Sequence, residues 1–161
     1  WVLGSPAHPM YTTWTAVVDD RCCRGEQFTD STDSRDLIVA AKTAIRGHMR
    51  ALLERVIFGG EELPGLVDLD HVTVCGMGGD TSNRLCIFLF RIDGLDSSRA
   101  SERYNHEFGV RVSARVPDAY SVVPLRALGW ADAIRLCAAH YNTPKEIDTF
   151  LNATGQIKGD S

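Results

Sequence analysis

Apolar residues in this chain follow two different periods. From Leu37 to Val56 they recur at helical spacing, through Ile38, Ala41, Ile45, Met49, Leu52 and Leu53. That stripe predicts one long amphipathic helix whose apolar face packs into a core. Ser31, Thr32 and Ser34 offer oxygens for its N-cap, Asp33 and Asp36 suit its positive start, and Gly59-Gly60 supplies its stop. The pattern then changes. "HVTVCGM" reads as a strand, "GGDTSN" as a turn, and "RLCIFLFRI" as a second strand, nearly continuous in apolar residues. A strand of that kind is expected to be covered on both faces.

Asp93-Gly94 ends the second strand, and a helix from about Ser98 to Phe108 follows, with Asp96, Ser97 or Ser98 as its cap. "GVRVSARV" alternates as a strand. Pro117 and Pro124 bracket a loop and a short helix containing "LRALGW", and "AIRLCAA" is a further strand. Thr143, Pro144 and Glu146 form a capping box with proline at the first helical position. Ile147, Phe150 and Leu151 are the buried face of that last helix, and Gly155 is its expected end. The order helix, strand, strand, helix, strand, strand, helix predicts an α+β domain. Its mainly antiparallel sheet has three or four strands, with helices packed on one face.

Residues 1–30 are expected to be an irregular arm, punctuated by Gly4, Pro6, Pro9 and Gly25, with "YTTWTAVV" as the one strand-like run. Residues 31–155 form the expected domain, and 156–161 a polar, frayed tail. The chain starts at Trp1 without a signal-peptide pattern, as expected of the inside of a longer chain or of a processed product.

Composition narrows the function. A net charge of -4 and no basic patch give no nucleic-acid footprint, and no apolar run is long enough for a membrane span. The five cysteines are odd in number and lack C-x-x-C spacing, so a reducing, cytoplasmic setting fits better than a disulfide framework or a zinc site. Cys22-Cys23 is a vicinal pair expected in a loop, while Cys75, Cys86 and Cys137 read as small buried hydrophobes. The histidines show no metal-ligand spacing. "GMGGDTSN" lies between strands rather than before a helix, so it reads as a turn and not a phosphate cradle.

The arginines carry the remaining chemistry. Arg135 alternates with Cys137 and Ala139 on one face of its strand, with Ile134, Leu136 and Ala138 on the other. Small neighbours leave room for a planar anion, which a guanidinium fork binds in bidentate fashion. The alternative is an edge arginine paired to a nearby aspartate. Arg111 and Arg115 share a face with Ser113, and either a solvated face or a place beside Arg135 suits them.

"IRLCAAHYNTPKEIDTFL" resembles the C-terminal end of class V aminotransferase-like enzymes. These are fold type I pyridoxal-phosphate proteins that include cysteine desulfurases, isopenicillin N epimerase-like proteins and C–S lyases. Arg135, Tyr141, Asn142, Thr143, Glu146 and Ile147 match the motif. The order of long helix, strand pair, helix and "GVRV" strand also follows the family, and "FTDSTDSRD" resembles its Phe-x-x-Gly-Thr segment, with Ser31 at the usual glycine. The resemblance covers about residues 28–152.

The resemblance implies a small C-terminal domain that closes over an active site. Arg135, with Arg115 nearby, would hold the α-carboxylate of an amino-acid substrate. Thr32, with Ser31, would reach the cofactor phosphate of a neighbouring subunit in a homodimer. No catalytic residue is expected within the chain: Lys42, Lys145 and Lys158 are its only lysines, and none matches the Schiff-base position, which is expected in an upstream cofactor-binding domain. "RVPDAYSVVPLRALG" has no cysteine where desulfurases carry theirs, which favours the epimerase-like or C–S lyase branches. The other expectation is a non-catalytic interaction or regulatory domain of the same fold.

Overall fold

The computed structural model describes residues 8–60, 62–76 and 84–159. The chain divides into two compact units, Trp1–His48 and Met49–Ser161. The division falls inside a helix rather than at the boundary after residue 30 that the sequence suggested.

The first unit holds α1 (His8–Gly25) and the first half of α2 (Ser34–Phe58). The expected irregular arm and strand-like run are therefore helical. "YTTWTAVV" is rich in strand formers, yet its threonines bond back along the helix: Thr13 Oγ1 donates to the Pro9 carbonyl at 2.8 Å and Thr15 Oγ1 to that of Tyr11 at 3.1 Å. Pro9 sits in the first turn, where its missing N–H costs nothing. Gly25 ends the helix, and a side chain there would strike the Leu37 backbone. The Cys22-Cys23 pair lies on α1, not in a loop, with Cys22 Sγ 3.8 Å from the Ser34 carbonyl. Asp33 proves to be the cap of α2, accepting the Arg35 and Asp36 amides at 2.9 and 3.2 Å.

The second unit is a four-stranded antiparallel sheet among the described residues. Its order is β1 (Val72–Val74), β2 (Ile87–Ile92), β4 (Ala133–Cys137) and β3 (Ser113–Arg115). The connections are α3 (Ser97–Phe108), α4 (Val122–Leu128) and, after β4, α5 (Pro144–Gln156). The α+β class and the layering match the sequence expectation. The glycine-rich turn after Gly76 lies outside the described residues.

The core fills the space between one sheet face and the helices. Phe88, Phe90, Ile92, Ile134 and Leu136 point into it, meeting Leu53, Val56 and Ile57 of α2 and Ile147, Phe150 and Leu151 of α5. At its centre Tyr104 stacks on Phe150, ring centroids 5.7 Å apart, while Phe90 meets each edge-on. The buried Tyr104 hydroxyl lies 2.6 Å from Thr154 Oγ1, which donates to the Phe150 carbonyl at 2.7 Å. Burial pushes the Tyr104 hydroxyl well above its ordinary pKa. Arg55 clamps α2 to α5 through a two-armed contact with Asp148 at 2.6 and 2.9 Å.

Asp96 caps α3 and Thr143 caps α5, the latter as the expected box with Glu146. Gly109, with φ of 65°, turns the chain out of α3 toward β3. Two expectations fail. Helix α4 begins at Val122, so Pro124 lies within its first turn rather than bracketing it. Gly155 does not stop α5: the helix runs to Gln156, and Ile157 beyond it is fully buried. Core burial of Ile157 holds the segment that reads as a polar tail.

Replacing Thr143 with alanine should cost about 1 kcal/mol of unfolding free energy in urea titrations. The Thr143 amide and hydroxyl hold the Glu146 carboxyl below its usual pKa. The box therefore stabilises above the ordinary carboxylate pKa of about 4.3 and loses that contribution as pH falls through the depressed value. The penalty of Thr143→Ala should accordingly shrink in acid. Tyr104→Phe should cost about 1 kcal/mol, the worth of one buried hydrogen bond.

Candidate functional site

The second face of the sheet is covered unevenly, with Ala133 of β4 fully buried on it. The apolar run of β2 predicts cover on both sides, but Ile87 is 45% exposed and Arg91 is exposed, while Leu89 is half-buried. The register decides what this face carries. Leu89 stands opposite Arg135, Ser113 stands opposite Arg135 from the other side, and Arg115 stands opposite Ala133. The pleat gives all of these one face, with Cys137 beyond Arg135 and Arg91 beyond Leu89.

Arg135 thus sits on an inner strand, not at an edge. Its Nε is buried and makes no hydrogen bond, and among the described residues no carboxylate pairs with its guanidinium. Among the described residues, the structural ion pair with an aspartate, the alternative that the sequence left open, is not formed. A buried guanidinium nitrogen without a partner is costly, and an incoming planar anion is the chemistry that removes that cost.

Arg91 is engaged differently, its guanidinium carbon 5.3 Å from the centre of the Trp130 ring. Arg115 is half-buried. Backbone amides of Ser121 and Tyr120 hold the Asp118 carboxyl low, with Arg115 adding a smaller pull, but no ion pair within 4 Å joins Arg115 to Asp118. Arg111 precedes β3 and lines a separate cavity of about 320 Å³ with Val110, Cys137, Asn142 and Phe150. That cavity does not include Arg135. Its polar rim is largely committed: Asn142 Oδ1 accepts the Ala139 amide and Glu146 closes the α5 cap.

Ser31 and Thr32 lie in the first unit. Ser31 Oγ donates to Asp36 Oδ2 at 2.9 Å and accepts the Asp33 amide at 3.2 Å, and Thr32 is exposed. Two carboxylates therefore flank the segment proposed for a phosphate. Cys137 is exposed and Cys75 half-buried, against the expectation of buried thiols; only Cys86 is buried, and burial raises its pKa to about 11. The period-2 pattern could not reveal Cys137's exposure, because that face of β4 goes from fully buried at Ala133 to exposed at Cys137 within five residues. Among the described residues no cluster of three His, Cys, Asp or Glu side chains could hold a metal ion. No described helix is long and apolar enough to cross a membrane.

No family model matches the chain, and no curated protein matches it. Its fold is found among solved structures. The apo cysteine desulfurase from Thermococcus onnurineus NA1 matches with a TM-score of 0.55 at 18% identity, over 76% of this chain and 30% of that one. The cysteine desulfurase CsdA from Escherichia coli, as its S-sulfonic acid, gives 0.47 at 18% identity, over 74% and 28%. The chain spans less than a third of either neighbour. The first likeness is one of fold: a sheet and its helices arranged as in part of a cysteine desulfurase.

An unpaired Arg135 should be dispensable for folding. Arg135→Met, which keeps the length of the stem and removes the buried unpartnered nitrogen, should leave stability unchanged or raise it by about 1–2 kcal/mol. A loss of several kcal/mol in urea titration would instead point to a structural ion pair.

Proposed function

We propose that this chain is the substrate-clamping domain of a pyridoxal-phosphate-dependent enzyme acting on an amino acid, with Arg135 as the group that grips the α-carboxylate. The observation that carries this is the buried Nε of Arg135, without a hydrogen-bond partner among the described residues, on an inner strand of the sheet. The desulfurase-like fold and the Tyr141-Asn142-Thr143 context support it. A rigid strand holds a guanidinium fork in fixed orientation, which is what positioning a substrate carboxylate requires. Ser113, opposite Arg135, is small.

Pyridoxal phosphate itself does not fit the residues present. Lys42, Lys145 and Lys158 are all exposed, and a Schiff-base lysine needs a desolvated or cation-flanked site to lower its pKa. No chemical step on the cofactor is therefore assigned to this chain. The lysine would come from an upstream cofactor-binding domain, in a cytoplasmic homodimer. Thr32 is proposed as the contact to the cofactor phosphate of a neighbouring subunit. Its exposure supports this, and the negative charge of Asp33 and Asp36 beside it works against it. The segment between β3 and β4 has no cysteine. That favours a C–S lyase or epimerase-like reaction over one that stores sulfur as a persulfide.

The exposed lysines also favour a second reading, in which the domain binds a carboxylate or partner without catalysis. Pyridoxal-phosphate absorbance in the full-length protein separates the two, being present in the first case and absent in the second. In an active full-length enzyme, Arg135→Ala should raise KM by the equivalent of about 2–4 kcal/mol, the worth of a bidentate charged contact. An unchanged KM would remove the carboxylate role.

A further inference from the structure

We propose that α1 is a self-pairing helix, whose exposed apolar stripe packs antiparallel against the same stripe of a second copy of this chain. This rests on the homodimer proposed above and names a surface for it; it needs nothing from Arg135. Every residue from 9 to 20 is exposed. Helix α1 meets α2 at its C-terminal end, where Gly25 abuts the Leu37 backbone and Cys22 Sγ lies 3.8 Å from the Ser34 carbonyl. A helix of this length left uncovered is marginal in water. Its apolar residues are not scattered. At about 100° per residue, Met10, Tyr11, Trp14, Val17 and Val18 fall within an arc of about 120°. Thr12, Thr15, Ala16 and Asp19 take the opposite side.

The stripe is symmetric in position. Met10 and Val18 lie four residues on either side of Trp14, and Tyr11 and Val17 lie three. A two-fold axis through Trp14 brings the two indoles together. It sets Met10 level with the partner's Val18 and Tyr11 level with the partner's Val17, as a self-complementary contact requires. No charged residue lies between Pro9 and Val18, so no like charges meet in this register. The five side chains are 61, 52, 65, 42 and 43% exposed in chain order. Those exposed parts come to about 500 Å² per copy, or about 1,000 Å² for the pair, the least that a specific interface needs. Central aromatic residues are the anchors that carry such interfaces. A lipid surface fits less well, because the polar side of α1 carries threonines, Asp19 and Asp20 rather than the basic residues of an interfacial helix.

The test is sedimentation of the full-length protein at about 1 to 100 µM. It should run as a dimer at the upper end. Trp14→Glu sets two carboxylates on the axis and should weaken association at least about tenfold. Ala16→Glu adds the same charge to the opposite side and should leave association unchanged, with the far-UV circular dichroism of both variants matching that of the parent. Trp14→Lys should be monomeric alone and should pair when mixed with Trp14→Glu. A dimer that Trp14→Glu leaves intact, or that Ala16→Glu weakens as much, would overturn the α1 seam and leave the homodimer standing. A monomer at every concentration would overturn both.

Discussion

The packing of Phe90 on Phe150 and Tyr104 fixes which way every side chain of the sheet points. Those three rings lock the even-numbered face of β2 against α3 and α5. Because strand side chains alternate, the same contact forces Leu89 and Arg91 to the other side, and the antiparallel register carries Arg135, Ser113 and Arg115 with them. A slip of one residue in β4 would bury Arg135 among the rings. The hydrophobic core is therefore what sets the arginines on the opposite face, and the Arg55–Asp148 clamp and the α5 capping box hold the helices that make that core.

Much of this was legible in the chain. Helix α2 announces itself by its stripe, α5 by Thr143-Pro144 and Glu146, and β2 by a run of apolar residues too long to be a turn. What escaped was decided by contacts that no local pattern encodes. Helix α1 is written in strand-forming residues, and backbone carbonyls one turn earlier take up its threonines. Ile157 looks like the start of a tail because only the tertiary structure shows the cavity that it fills. The run in β2 suggested cover on both faces, since an apolar residue exposed for a ligand or another segment reads the same as one buried by a helix.

Arg135 shows the limit most clearly. Alternation places it opposite Ile134 and Leu136, and the sequence goes no further: an arginine in a strand is compatible with an aspartate partner, with solvent or with a ligand. The choice depends on strand order. Had β4 been an edge strand, a loop carboxylate could have reached the guanidinium. As an inner strand between β2 and β3, it is flanked by Leu89 and Ser113, neither of which can neutralise it.

The same topology makes the arrangement uneconomical for a protein that binds nothing. Arg135 and Arg115 are like charges at diagonal positions of neighbouring strands, and like charges repel. The unpartnered Nε adds a desolvation cost of about 1–3 kcal/mol. A domain of this size has only about 5–15 kcal/mol of net stability from which such costs can be met. Glutamine or methionine at position 135 would fit the same strand with less penalty. A buried guanidinium nitrogen without a described partner, held on a rigid strand, is a cost that an incoming anion would relieve.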